Sequence, residues 1–142
     1  MTKVLVLEGR PVSKKNGWAP SRGVGSRGLG MYQRKKEVKG YVEACRIQAV
    51  FQMRRLGLVK ISKPTPVAIR LKVYFAAGQG AMDVHNAAET VLDALQGVCY
   101  DNDLQVVGHH YPPQRLVDAA RPRVEVELQR AEDAQLDPRW AE

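Results

Sequence analysis

The hydrophobic residues of this chain switch repeatedly between a spacing of two and a spacing of about 3.6, so strands and helices must alternate along it. Residues 3–8, KVLVLE, alternate and are rich in Val and Leu, the pattern of a strand with one buried face. Val38, Tyr41, Val42, Cys45, Ala49, Met53 and Leu56 then recur at intervals of three and four. This predicts a helix over 33–56, stopped by Gly57. Ser62-Lys63-Pro64-Thr65-Pro66 breaks the chain, and residues 67–75 alternate again as a second strand. After a turn at 78–80, Asp83 is a favoured helix N-cap, and Val84, Ala88, Val91, Leu92 and Leu95 make the apolar face of a helix ended by Gly97. Residues 104–111 and 122–129 read as two more strands, and the Pro-containing loop between them suggests an antiparallel pair. The predicted class is α+β, a mixed sheet of about four strands in the order β-α-β-α-β-β with helices packed against it.

A length of 142 residues, 44% of them apolar, suits one domain with a modest core. We place that domain at 1–130, with a mobile basic loop at 9–30 and a loose polar tail at 131–142. No apolar run approaches a membrane span and the opening residues lack a secretory pattern, so a cytoplasmic protein without membrane contact is expected. Cys45 and Cys99 have no metal-ligand spacing and are expected to be buried thiols.

The formal charge of +7 is unevenly spread. Residues 1–63 carry fifteen Lys and Arg against Glu8, Glu37 and Glu43, a net of +12, which leaves the remainder at −5. A basic half joined to an acidic half suggests one surface that holds a polyanion and another that works through carboxylates. Asp83 and the turn Tyr100-Asp101-Asn102-Asp103 are the acidic candidates. They share one end of the sheet only if that turn folds back. His85, Glu89 and Asp93, spaced by four, would lie on one helical stripe beside Asn86. Cap and turn chemistry alone also accounts for every one of these acids. His109 and His110 are neighbours on a strand, face opposite sides and do not suit one ion.

The string from Met82 to Val106, MDVHNAAETVLDALQGVCYDNDLQV, resembles the RusA-type Holliday junction resolvases. Their pattern is a D-x-D-N helix start, a Lys a few residues on, a D-A-L-x-G stretch, and an acidic pair before Gln and an aliphatic residue. Here Asp83-Val84-His85-Asn86 stands at the helix start, Asp93-Ala94-Leu95-Gln96-Gly97 follows, and Asn102-Asp103-Leu104-Gln105-Val106 closes the pattern. Gly9-Arg10-Pro11-Val12-Ser13-Lys14-Lys15-Asn16 resembles the family's opening of Gly-x-Pro and a basic loop. The resemblance spans most of residues 3–129. Two positions depart from it, with His85 where the family has Asp and Glu89 where it has Lys.

The resemblance implies a metal-dependent endodeoxyribonuclease that makes paired cuts in four-way DNA junctions during recombination and repair. It implies a homodimer, nucleoid-associated and encoded by a bacterium or a phage. Asp83, His85 and Asp103 would then be catalytic, and Asp83, His85, Glu89 and Asp103 would hold Mg²⁺, with Mn²⁺ better suited to the imidazole. In that setting Lys14, Lys15, Arg22, Arg27, Arg34, Lys35 and Lys36 are expected to meet phosphates, while Trp18 or Tyr32 stacks on exposed bases. The rival reading is a catalytically degenerate module that only binds branched DNA, with Asp83 and Asp103 as cap and turn residues. An RNA-binding domain is disfavoured, because no RRM-like aromatic pair occurs.

Overall fold

The computed structural model of the chain describes residues 3–13, 27–79, 82–107 and 113–140, and for residues 27–35 the backbone alone. Strand β1 (Leu5–Glu8) is followed by helix α1 (Arg27–Leu56), strand β2 (Val67–Phe75) and helix α2 (Val84–Leu95). A 3-10 turn at Asp103–Gln105 leads to β3 (Gln114–Val117) and β4 (Arg123–Arg130), and a short helix α3 (Ala131–Leu136) precedes a second 3-10 turn at Pro138–Trp140. The α+β class and the mixed four-stranded sheet are as expected, in the order β1-β4-β2-β3. Among the described residues no helix is long and apolar enough to cross a membrane.

Alternation along the strands decides which face carries the core. Leu5, Leu7, Val67, Leu71, Val73, Phe75, Val124 and Val126 are all buried on the face covered by α1 and α2. They meet Tyr41, Cys45, Ala49 and Met53 from α1 and Val91, Ala94 and Leu95 from α2. The opposite face is mostly polar. There Arg123 donates to Asp118 and Glu125 and lies 3.8 Å from the Tyr74 ring centre.

Helix α1 ends where the sequence places the stop. Gly57, at φ +67°, donates to the Arg54 carbonyl and Leu58 to that of Met53, a Schellman closure that a left-handed residue makes possible. Its start differs, since the helix begins at Arg27, inside the stretch 9–30 expected to be a loop, rather than at residue 33.

Two further expectations need correction. The expected antiparallel pair of strands at 104–111 and 122–129 is not found: residues 104–107 form no strand and 108–111 lie outside the described residues, while β4 lies between β1 and β2, antiparallel to both, and β3 runs parallel to the outer edge of β2. The regular eight-residue β4 uses both of its edges, so β3 is left only that outer position. Residues 103–105 are helical because Asn102 accepts from Leu104 N–H while the Gln105 carboxamide accepts from the N–H groups of Asp101 and Asn102. This capping overrides the aliphatic pattern. The tail is also not loose. Ala134 and Trp140 are buried against Ala68 on the polar face of the sheet, and Arg70 stacks over the Trp140 ring.

Both cysteines are free and buried, as expected. Burial pushes the Cys45 thiol up to about 11 and the Cys99 thiol up to about 12, from an ordinary 9.0. The folded state therefore keeps protons that the unfolded chain releases above pH 9. The stability this supplies is complete below pH 9 and is lost as pH rises towards 11 and 12. Urea midpoints are expected to fall between about pH 9 and about pH 11, and Cys99→Ala should flatten that fall. A midpoint indifferent to pH across this window would contradict the burial argument.

Candidate active site

Asp83 sits where the sequence predicts, at the N-cap of α2. Its backbone is extended and its carboxylate accepts the His85 N–H at 2.7 Å, satisfying a donor that the first helical turn leaves unpaired. The segment before it is anchored from β3, where Arg115 donates to the carbonyls of Met82 (2.6 Å) and Gln79 (3.1 Å) and lies over the Phe75 ring. Sequence reasoning missed Arg115, which is 32 residues from Asp83 in the chain. It lies in the stretch between the two expected strands, where no sequence pattern marks it.

Along α2 the buried residues Ala87, Ala88, Val91, Ala94 and Leu95 face the core, which leaves His85 and Glu89 exposed and Asp93 partly exposed on the outer stripe. The expected spacing of four is thus realised on an accessible face. No basic residue occupies the last turn of this helix.

At the far end, Gln96 caps the helix and Gly97 turns the chain at φ +87°. Tyr100 folds beneath, fully buried, with its hydroxyl donating to the Leu92 carbonyl. Burial pushes this phenol up, and the nearby charges of Cys99, Asp103 and Asp93 push it further. Asp93 and Asp103 therefore both act on one phenol.

The two outer acids of the Asp101-Asn102-Asp103 turn have different surroundings. Asp101 accepts from Lys63 N–H at 3.0 Å and pairs with Lys60 Nζ at 2.6 Å, and these bonds hold its carboxyl below the usual range. It ties the turn to the 60–63 segment. Asp103 is exposed, and its N–H donates to the Gln96 carboxamide at 3.1 Å. That bond fixes Asp103 at the C-terminal end of α2.

The turn thus does not fold back to Asp83. Twelve helical residues span about 18 Å, so one chain holds Asp83 and Asp103 at opposite ends of α2. Among the described residues no three of His, Cys, Asp and Glu come together in a group able to hold a metal ion. A single chain therefore keeps the expected ligands Asp83 and Asp103 apart.

Cations approach from other elements. From α1, Arg46 donates through Nε to the Ala94 carbonyl (3.2 Å) and through Nη2 to that of Asp93 (3.3 Å), binding the last carbonyls of α2. Of the expected phosphate-contacting residues, Lys36 is exposed on α1, and Arg27, Arg34 and Lys35 lie on its backbone, as does Tyr32. Lys14, Lys15, Trp18 and Arg22 lie outside the described residues, as do His109 and His110.

Comparison with known proteins bears on this arrangement. No curated protein matches the chain. The family model described as Endodeoxyribonuclease RusA matches residues 8–129, a span running from the end of β1 almost to the end of β4 and including both ends of α2. The chain belongs to the RusA endodeoxyribonuclease family.

Proposed function

We propose that this chain, as a homodimer, resolves four-way DNA junctions by metal-dependent hydrolysis of two phosphodiesters, in the cytoplasm and on bacterial or phage DNA. The observation that carries this reading is the family match over residues 8–129, which includes Asp83 and Asp103. Each cut joins a water oxygen to phosphorus and breaks the bond to O3′, leaving a 5′-phosphate and a 3′-hydroxyl.

The separation of the acids supports the dimer. If a two-fold axis crosses α2 near its middle, Asp83 of one copy faces Asp103 of the other, and the two sites so formed are equivalent. A junction with approximate two-fold symmetry needs two such sites. Exposed Ile47 and Phe51 give α1 an apolar outer face that a second copy would cover. Asp83, His85 and Glu89 from one chain and Asp103 from the other would then hold the divalent ion. Such an ion polarises the phosphoryl oxygen and acidifies bound water. The basic residues of α1 and of the 9–30 stretch would offset repulsion between these acids and the phosphates.

A second reading rests on His85 and Glu89, which replace an Asp and a Lys of the family pattern. It is a degenerate protein that binds junctions without cutting them. A synthetic four-way junction with Mg²⁺ or Mn²⁺ separates the two. The parent is expected to cut it, and Asp103→Asn should slow cutting by ~10³-fold or more while binding stays equal or tightens, because a ligand and a repelling charge go together. A parent inert with either metal but still binding would support the degenerate reading. Loss of binding in Asp103→Asn would make that residue structural.

A further inference from the structure

The C-terminal end of α2 concentrates negative charge. The last carbonyls of the helix carry the negative end of its dipole, Asp93 belongs to that last turn, and Asp103 is tied to it through the Gln96 carboxamide. A phosphodiester brought to Asp103 adds a further anion. The helix itself offers no fixed cation against it, since its sequence VHNAAETVLDAL contains neither Lys nor Arg and Glu89 stands where the family pattern has Lys. Lys60 reaches this region, yet its ammonium is engaged by Asp101 at 2.6 Å.

Arg46 answers this deficit from α1. Its two bonds to the Ala94 and Asp93 carbonyls fix the plane of the guanidinium at the end of α2, and the residue is exposed. A guanidinium has five N–H donors in a rigid fork, and these two carbonyls take two of them. The Asp93 carbonyl also receives the Gln96 N–H, and the Gln96 carboxamide accepts from Asp103 N–H. Arg46 and Asp103 are therefore joined through a short chain of bonds at the same helix end.

We propose that Arg46 binds the phosphate that is cut at Asp103, supplying from α1 the positive charge that α2 lacks. The proposal rests on the endonuclease reading above. Its remaining donors meet a non-bridging oxygen, whose negative charge grows as water adds to phosphorus, so the contact strengthens in the transition state more than in the bound substrate.

The test is single-turnover cutting of a synthetic four-way junction with Mn²⁺ by the parent, Arg46→Gln, Arg46→Ala and Arg46→Lys, with junction binding measured in EDTA and thermal melting recorded for each. Arg46→Gln is expected to cut ~100-fold more slowly while its dissociation constant stays within about three-fold of the parent's. Arg46→Lys should retain about a tenth of the parent rate, because it keeps the charge and loses the fork. Added methylguanidinium should raise the rate of Arg46→Ala and leave the parent unchanged. Unchanged rates, or a loss that tracks melting temperature and is recovered by neither Lys nor methylguanidinium, would make Arg46 a helix-end contact only and overturn the proposal. A parent that cuts no junction overturns the endonuclease reading and this proposal together, whereas a parent that cuts as fast as Arg46→Gln overturns this proposal alone.

Discussion

Mixing two inert variants should restore cutting. Asp83→Asn and Asp103→Asn are each expected to leave a junction intact, because each removes a ligand from both sites of a homodimer. In a mixed dimer one site carries both substitutions and the other carries neither. That intact site exists only if Asp83 and Asp103 reach the active site from different chains, as their places at opposite ends of α2 suggest. Random exchange of subunits makes half of the dimers mixed, so about a quarter of the parent's sites should return. The product should be nicked on one strand rather than resolved. Co-expression with two affinity tags isolates the mixed dimer, and sedimentation of the parent at low micromolar concentration checks that a dimer exists. A mixture as inert as its components would place both aspartates in one chain's site, or neither, and would sink the shared-site arrangement.

How much of this site could be read from the sequence depended on the distance over which each contact acts. Asp83 as an N-cap was legible because a cap is a local event, decided by the residues that follow it within one turn. The stripe of His85, Glu89 and Asp93 was legible from the helical period. The position of Asp103 was not. It turns on the Asn102 and Gln105 side chains, which make a 3-10 turn of a stretch with strand-like spacing, and on Gln96, seven residues back. Arg46 lies 47 residues from Asp93, and Arg115 lies 33 from Met82. Nothing in the residues surrounding either arginine marks it as a ligand for a carbonyl so far along the chain.

The fold followed the same division. Strand β2 occupies the stretch 67–75 read from alternation, and Gly57 ends α1 as predicted. Pairing was harder to read than strand existence, since the same alternation serves a strand with one neighbour or two. A Pro-containing loop suggested a hairpin, but β4 gains more from pairing along both edges in the middle of the sheet than from one edge with the four-residue β3. The tail was misread because charge dominates its composition, whereas one residue, Trp140, carries enough apolar surface to fix it against Ala68 and Ala134.

Replacing Gln48 and Gln52 together should destabilise the domain more than any other pair of changes on the polar residues of α1. Strand β1 is an outer strand of the sheet, so among the described residues one of its edges has no strand beside it. Two glutamines of α1 take that place. The Gln52 carboxamide accepts from Val6 N–H at 2.6 Å and donates to the Val6 carbonyl, and Gln48 does the same for Glu8 at 2.7 and 3.1 Å. The match is geometric: residues four apart on a helix rise by about 6 Å, close to the repeat of about 6.6 Å between residues two apart on a strand. Each amide has one donor and one acceptor side, which is what a strand residue presents. Gln52→Leu strands the partly buried Val6 groups and should cost about 1–3 kcal/mol, while Gln48→Leu, at an exposed position where water substitutes, should cost about 0.5–1 kcal/mol. The double variant should also associate through the uncovered edge, giving a concentration-dependent increase in size by light scattering. Gln52→Glu sharpens the test, because a carboxylate keeps the acceptor, loses the donor and places negative charge against the Val6 carbonyl. Its deficit should therefore shrink as pH falls through about 4.3, where the carboxyl regains a proton to donate. If the double variant melts with the parent and stays monodisperse, the edge is held by something other than these two amides, and the account of why α1 lies along β1 fails.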